Sequence, residues 1–283
     1  MKVTLLGTGG SAGVPMIGGA DGSGDWGDCD PAEPRNRRTR SSIVIESEDH
    51  QRLLVDTSPD LRGQLLDCRI PGADAILFTH AHADHITGLD DVRILNRIAN
   101  RPLPAFATPE TLAELARRFG YAFRPWNTPH FYRPVLEAKP IEPGAVFDTA
   151  GLSVRVFTQN HGRMQTLGLR IGNFAYSTDV VELDDDAFAA LKGVDTWVVD
   201  CFLRNGPHWT HADLNTVLGW VERLKPRRTV LTHMGTEMDW AWMQANLPPG
   251  VEAGYDGMVL PFTQASSRTS SRETRSRSVT RTG

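Results

Sequence analysis

The segment Thr79–His85 reads Thr-His-Ala-His-Ala-Asp-His and follows the apolar run Ala75–Phe78. This run predicts a buried strand, so three imidazoles and one carboxylate leave the end of that strand together. Side chains of these types are the usual ligands of zinc and related metals. His80 and His82 are two residues apart and can point the same way, whereas the Asp-His pair lies beyond a short turn. The spacing favours two adjacent metals over a hydrated loop that is merely rich in histidine.

The second half of the chain offers three further ligand-type side chains. Each comes shortly after an apolar run that predicts a strand, and they are His161, Asp179 and His233. Sheets that contain parallel strands present functional side chains at strand ends. A single histidine at a strand end is usually structural, but three such residues together indicate a site.

Composition restricts the class of protein. The 283 residues carry a net charge of −4, and the last twenty residues are basic, which leaves the body near −8. An acidic body argues against a stable nucleic-acid partner. Three scattered cysteines predict no disulfide framework and fit a reducing cytosol. No apolar run approaches the ~20 residues that span a bilayer, so we expect a cytoplasmic protein with no membrane partner.

The order of the predicted elements indicates the fold class. Strands come first and then alternate with helices, which predicts an α/β (α+β) architecture of two packed sheets with helices outside. Residues 1–263 would form this domain, with residues 101–140 as an insertion that acts as a cap, a homodimer surface or a small satellite core. Residues 264–283 contain mainly Ser, Thr and Arg and predict a disordered basic tail or a remnant of cloning.

Local patterns add further expectations. Apolar residues at helical spacing predict a helix over residues 86–98, and the last clear strand is predicted at Arg228–Thr232. Asp56 lies at the end of another predicted strand. It could support the segment Thr79–His85, called the metal loop below, through hydrogen bonds without binding metal. Arg38 and Arg40 are either anion-binding residues or part of a solvated basic face.

The ordered ligand set resembles that of the metallo-β-lactamase superfamily, in which an HxHxDH motif is followed by His, Asp and His on later strands. The resemblance implies a four-layer αββα sandwich with a binuclear site at one edge between the sheets. It places His80, His82 and His161 on one metal and Asp84, His85 and His233 on the other, with Asp179 bridging them. Two divalent ions, Zn²⁺ or Mn²⁺, would then activate a bridging hydroxide as the nucleophile.

Further phrases resemble the PhnP-type cyclic-phosphate phosphodiesterases, and the similarity covers residues 1 to about 260. The phrases begin at Gly7, Asn36, His85 and His208. The resemblance implies that His211 lies near the scissile phosphate as an orienting group or general acid, although a helix cap is the alternative; the role of His208 stays open. Asp84 and His211 are therefore the candidate catalytic residues. PhnP-type proteins often carry a separate structural zinc, held by cysteines in the loop after the first strand and by a histidine three residues beyond the last metal ligand. Here that loop contains only Cys29 and position 236 is Thr, so we expect the structural zinc to be absent.

The leading hypothesis is a phosphodiesterase acting on small cyclic phosphodiesters or nucleotides, with a small-molecule phosphodiester as its partner. A tRNA 3'-processing nuclease is a related alternative, although no long basic arm suited to tRNA is present. A thioester or lactone hydrolase would be a different reaction on the same fold. A non-enzymatic, metal-dependent binding or carrier protein is the remaining alternative, disfavoured because all seven ligand positions are filled.

Overall fold

Two seven-stranded sheets pack face to face in the computed structural model, which describes residues 1–127 and 130–262. The first sheet has the order β14-β1-β2-β3-β4-β5-β6. Its strands are β1 (Lys2–Gly7), β2 (Ser42–Glu46), β3 (Arg52–Val55), β4 (Ala75–Leu77), β5 (Leu103–Ala107), β6 (Leu136–Pro140) and β14 (Val259–Pro261).

The second sheet has the order β13-β12-β11-β10-β9-β8-β7. Its strands are β7 (Val146–Thr149), β8 (Leu152–His161), β9 (Met164–Ile171), β10 (Phe174–Ser177), β11 (Thr196–Asp200), β12 (Arg228–Thr232) and β13 (Val251–Ala253). In both sheets a set of antiparallel strands continues into a set of parallel strands.

Helices cover the outer faces of the two sheets, which confirms the predicted αββα sandwich. The helices are α1 (Leu61–Asp67), α2 (Ala83–Ile86), α3 (Val92–Ala99), α4 (Pro109–Phe119), α5 (Asp185–Leu191), α6 (Leu214–Leu224) and α7 (Trp240–Asn246). Short 3-10 helices occupy Pro34–Asn36, Leu89–Asp91 and Gly120–Phe123. None of the helices in the described ranges combines the length and hydrophobicity needed to cross a bilayer.

Three apolar clusters hold the layers together, and β4 shows how one strand serves two of them. Ala75 and Leu77 belong to the cluster between the sheets, whereas Ile76 packs in the cluster under the outer helices. Successive side chains of a strand point to opposite faces, so a strand covered on both faces is apolar throughout. This double burial fixes the strand end from which His80 and His82 leave.

Residues 101–127 and 130–140 do not form a cap outside the sandwich, so this part of the prediction was wrong. The segment supplies β5 and β6, which pair in parallel with each other and extend the first sheet beyond β4. Phe119, Tyr121 and Phe123 pack against the apolar cluster under the outer helices of that sheet. These three aromatic residues therefore contribute to the core, in agreement with the satellite-core alternative. The predicted tail at residues 264–283 lies outside the described residues.

Two other local expectations were also wrong. The helix predicted over residues 86–98 is divided, because α2 ends at Ile86 and α3 begins at Val92. The break lies where the backbone pairs with another segment: Gly88 N donates to Thr57 O at 3.0 Å, and His85 O accepts from Thr57 N at 2.8 Å. Glycine is needed there, because a Cβ would lie 1.9 Å from the Ser58 carbonyl oxygen. The later strands β13 and β14 were missed because three residues are too short to show a period.

Asp256 joins three segments near the first strand. Its carboxylate accepts hydrogen bonds from the backbone N–H and hydroxyl of Thr8, at 2.9 and 2.8 Å, and of Thr39, at 2.7 and 2.6 Å. The chain approaches itself closely here, since a Cβ on Gly7 would lie 2.1 Å from the Arg40 carbonyl oxygen. This close backbone approach accounts for the glycine at position 7.

We expect Asp256→Asn to lower the free energy of unfolding by about 2 kcal/mol, because the amide nitrogen would face donors that now have an acceptor. Urea denaturation followed by circular dichroism measures the change. Asp148→Asn is the matched control, since Asp148 is exposed. Equal stability of the two variants would contradict the joining role of Asp256.

Candidate functional site

The first group of ligand-type side chains contains His80, His82, His161 and Asp179. His80 and His82 leave the end of β4, and His161 is the last residue of β8. One potential ligand atom from each of the four residues lies within 4.8 Å of the others. His82 is exposed and the other three are buried, so the group opens to solvent on the His82 side.

The second group contains Asp84, His85, His233 and again Asp179. Asp84 and His85 lie on the short helix α2, and His233 directly follows β12. Their potential ligand atoms also lie within 4.8 Å of one another. The structure thus brings all seven predicted positions together and divides them into the two predicted sets.

Asp179 lies between the two groups. Its Oδ1 is 3.8 Å from His80 Nε2 and 3.6 Å from His161 Nε2. Its Oδ2 is 3.1 Å from His85 Nε2 and 3.3 Å from His233 Nδ1. One carboxylate oxygen faces each group, which is the arrangement required of a bridging ligand.

The donor set fits divalent cations. His80 Nε2, Asp84 Oδ2, His85 Nε2 and His233 Nε2 are buried and have no hydrogen-bond partner. Buried polar atoms normally have partners, and a cation in each group would satisfy these atoms. Imidazole and carboxylate donors without thiolates suit several divalent metals.

The charge around His85 points the same way. Burial alone would lower the pKa of His85, but the carboxylates of Asp179, Asp84 and Asp56 outweigh burial and raise the pKa well above its usual value. A concentration of negative charge in a buried place favours a positive charge there.

Three residues reach the site through a left-handed backbone. Asp56, Asp179 and His233 follow β3, β10 and β12 with φ values of 64°, 53° and 54°. Such conformations are uncommon for residues other than glycine and cost of order 1–3 kcal/mol each. They persist because the tightly packed strands on either side fix the direction of the chain.

Asp56 supports the metal loop, as predicted. Its Oδ1 accepts a hydrogen bond from the backbone N–H of Thr79 at 2.8 Å, and its Oδ2 accepts one from the Thr79 hydroxyl at 2.8 Å. The same Oδ2 lies 2.7 Å from His85 Nδ1. This contact fixes the ring of His85 and leaves Nε2 toward Asp84 and Asp179.

His211 lies against both groups. Its ring stacks on His233 with centroids 4.7 Å apart and meets His161 edge-on at 4.8 Å. It is not the cap of the following helix, because Asp213 caps α6 by accepting from Thr216 N at 2.9 Å. His208 lies next to His211, with ring centroids 5.2 Å apart.

Asp200 is the partner of His211 that the sequence reasoning missed. It ends β11, is fully buried, and places Oδ2 at 2.7 Å from His211 Nδ1. The same oxygen accepts from Val180 N at 3.0 Å, which fixes the carboxylate. Burial would lower the pKa of His211, but Asp200 reverses the effect and raises it to about 9. The available signal was its place at the end of an apolar strand, like Asp179 and His233.

Arg38 and Arg40 are both held by partners within the protein. Arg38 is buried, and its Nη2 donates to Met238 O at 2.6 Å and to Asn36 Oδ1 at 3.1 Å. Arg40 pairs with Asp60 at 3.0 Å. Cys29 Sγ lies 3.3 Å from the carbonyl oxygen of Thr236 and 3.7 Å from an Arg38 nitrogen. The absence of a structural zinc at this place stays a prediction.

Comparison with known proteins agrees with the fold and the site. A family model described as beta-lactamase superfamily domain matches residues 51–234. The octanoyltransferase of Porphyromonas gingivalis is 30% identical over 259 residues, covering 91% of this chain and 51% of that protein, so the chain spans about half of its length. A ribonuclease Z of Mycobacterium sp. (strain KMS) is 27% identical over 260 residues, covering 79% of this chain and 90% of that protein.

A solved structure extends the match to nearly the whole chain. The crystal structure of a new diphosphatase from the PhnP family superimposes with a TM-score of 0.82 and 33% identity, covering 93% of this chain and 98% of that one. Since the family model spans more than half of the sequence and this structure matches almost all of it, the chain belongs to the metallo-β-lactamase superfamily and, within it, to the PhnP-like branch.

Proposed function

We propose that the protein is a binuclear metal-dependent phosphodiesterase that acts on small cyclic phosphodiesters or nucleotides. The observation that carries the proposal is the position of His211, which Asp200 holds against both ligand groups. A hydrolase of phosphate esters needs a proton donor at the leaving oxygen beside its metal centre. Most members of this superfamily are metal-dependent hydrolases, and this geometry adds the donor.

The side chains divide the chemical work. Two divalent metals, when bound, would lower the pKa of water toward about 7 and stabilise the attacking and leaving oxygens. The Asp84 carboxylate, a member of the second group, would orient the attacking water and accept its proton. His211 uses Nδ1 for Asp200, so Nε2 is the nitrogen that can donate a proton to the leaving alkoxide.

Two of the similar proteins catalyse related reactions. The structural relative is a diphosphatase, and the bond that a diphosphatase cleaves is a phosphoanhydride. The same proton donor would serve a leaving phosphate. A tRNA 3'-processing nuclease is the second candidate, favoured by the ribonuclease Z match over most of that enzyme's length. The octanoyltransferase activity belongs to a protein about twice as long. A thioester or lactone hydrolase and a metal-dependent carrier protein remain the alternatives without phosphate chemistry.

We expect the purified protein with Mn²⁺ or Zn²⁺ to hydrolyse bis(p-nitrophenyl) phosphate and 2',3'-cyclic nucleotides, measured by absorbance and by chromatography of the products. Nucleoside diphosphate derivatives, precursor tRNA, a thioester and a lactone complete the panel. Turnover of precursor tRNA alone would favour the nuclease, and turnover of thioester or lactone alone would reject the proposal. Metal binding without any turnover would favour the carrier protein.

The role of His211 predicts that His211→Ala lowers kcat by about 10²–10⁴-fold while the bound metal is retained, because the proton donor is lost but the seven ligands remain. Steady-state kinetics and elemental analysis measure the two quantities. Asp200→Asn should give a smaller loss, since His211 remains but loses the carboxylate that fixes it. His50→Ala is the control, because the side chain of His50 is 81% exposed. Unchanged kcat in His211→Ala would contradict the assignment.

The supporting role of Asp56 predicts that Asp56→Asn weakens metal binding by about 10–100-fold, because His85 loses the partner that orients it. Competition with a chromophoric chelator gives the affinity. Asp49→Asn, a change at an exposed position, should bind metal as the natural protein does. If the two variants hold metal equally well, the contact between Asp56 and His85 has no part in ligation.

A further inference from the structure

Trp209 is a large aromatic residue at the rim of the candidate site, and it is 66% exposed. It immediately precedes Thr210, whose carbonyl oxygen lies 2.7 Å from His161 Nδ1. It is two residues from His211, and its ring lies 6.5 Å from that of His208. Trp209 is thus next in sequence to a residue that holds a histidine of the first ligand group, but it belongs to neither group.

The backbone beside Trp209 is fixed although its ring is exposed. Gly162, directly after His161, has a φ of +72°. A Cβ on Gly162 would lie 2.7 Å from the Trp209 carbonyl oxygen and 3.4 Å from its ring atom Cε3. The turn between β8 and β9 therefore packs against the edge of the indole and leaves no room for a side chain. The backbone of Trp209 is therefore held against the turn that follows His161.

Arg163 adds a positive charge to the same place. Its guanidinium carbon lies 5.7 Å from the centroid of the Trp209 ring. Both residues are exposed, and across residues 1–127 and 130–262 no carboxylate forms an ion pair with Arg163. The arginines discussed above at positions 38 and 40 are, by contrast, held by protein partners. Arg163 is therefore free to attract an anionic ligand to the aromatic face.

We propose that Trp209 and Arg163 form a platform that binds the base of a nucleotide whose phosphate lies at the metal centre. The inference rests on the proposed phosphodiesterase function and narrows its substrates to nucleotides, as opposed to cyclic phosphates without a base. Isolated exposed hydrophobic residues are common on protein surfaces. Here the exposed ring lies two residues along the chain from the candidate catalytic histidine, beside the turn that follows His161. It also has next to it an arginine without an ion-pair partner among the described residues. An exposed aromatic ring with a nearby cation is the combination that binds bases by stacking.

Binding of AMP and of ribose 5-phosphate tests the platform, because the two ligands share the sugar phosphate and differ in the base. Isothermal titration calorimetry on the metal-loaded protein should show tighter binding of AMP. Trp209→Ala should weaken AMP by roughly tenfold or more and leave ribose 5-phosphate within about twofold, whereas Trp209→Phe should retain most of the preference. Arg163→Gln should weaken both ligands, since it removes charge.

Tyr132→Ala is the matched control, because Tyr132 is 64% exposed and Arg133 lies 5.9 Å from its ring centroid. It should leave both affinities unchanged. Equal affinity of the natural protein for AMP and ribose 5-phosphate, no measurable binding of either, or an unchanged AMP affinity in Trp209→Ala would overturn the platform.

The outcome is separable from that of the proposed function. Failure of every phosphodiester to react would reject the phosphodiesterase, while an AMP preference that depends on Trp209 would still establish the platform. Hydrolysis of both 2',3'-cyclic AMP and glycerol 1,2-cyclic phosphate, with neither affected by Trp209→Ala, would retain the enzyme and reject the platform.

Discussion

The shared carboxylate of Asp179 is the interaction on which the site depends. Its two oxygens face different groups of histidines, so one side chain sets the separation of the two candidate metal positions. A buried carboxylate is costly without compensation, and burial alone would raise the pKa of Asp179. The surrounding histidines, His233 first, reverse this and hold its pKa well below the usual value. Histidines from both sheets thus stabilise the negative charge of Asp179.

A second set of acidic residues supports that centre. Asp56 fixes His85 from the first sheet, and Asp200 fixes His211 from the second. Both carboxylates also accept a backbone N–H, so the supporting contacts are continuous with the framework of the fold. These contacts hold the imidazoles of His85 and His211 in place. A metal ligand and a proton donor must both be positioned accurately, because small errors in position lower the reaction rate.

Much of the fold and site could be predicted from particular residues. The apolar run before His80 and the order of strands and helices were sufficient for two packed sheets and for two metals at the histidine-rich segment. The complete ligand groups and the bridging role of Asp179 came from the resemblance to the metallo-β-lactamase superfamily. Other features were hidden. The helix is divided where Gly88 donates its backbone N–H to Thr57. Residues 101–140 resemble an insertion until β5 is seen to pair with β4 and β6 with β5. Contacts between residues that are far apart in the sequence produce no periodic pattern of apolar residues from which they could be predicted.

The sequence by itself determined which donors the site contains, because residue type at the end of an apolar run is a local property. It also determined that the donors are imidazole and carboxylate, which limits the metals. Only the tertiary structure decided that Asp200 holds His211, that Arg38 is buried in the protein, and that Trp209 stands at the rim beside Gly162. Such pairings depend on how strands from two sheets meet in space, and the spacing of residues along one chain does not specify it.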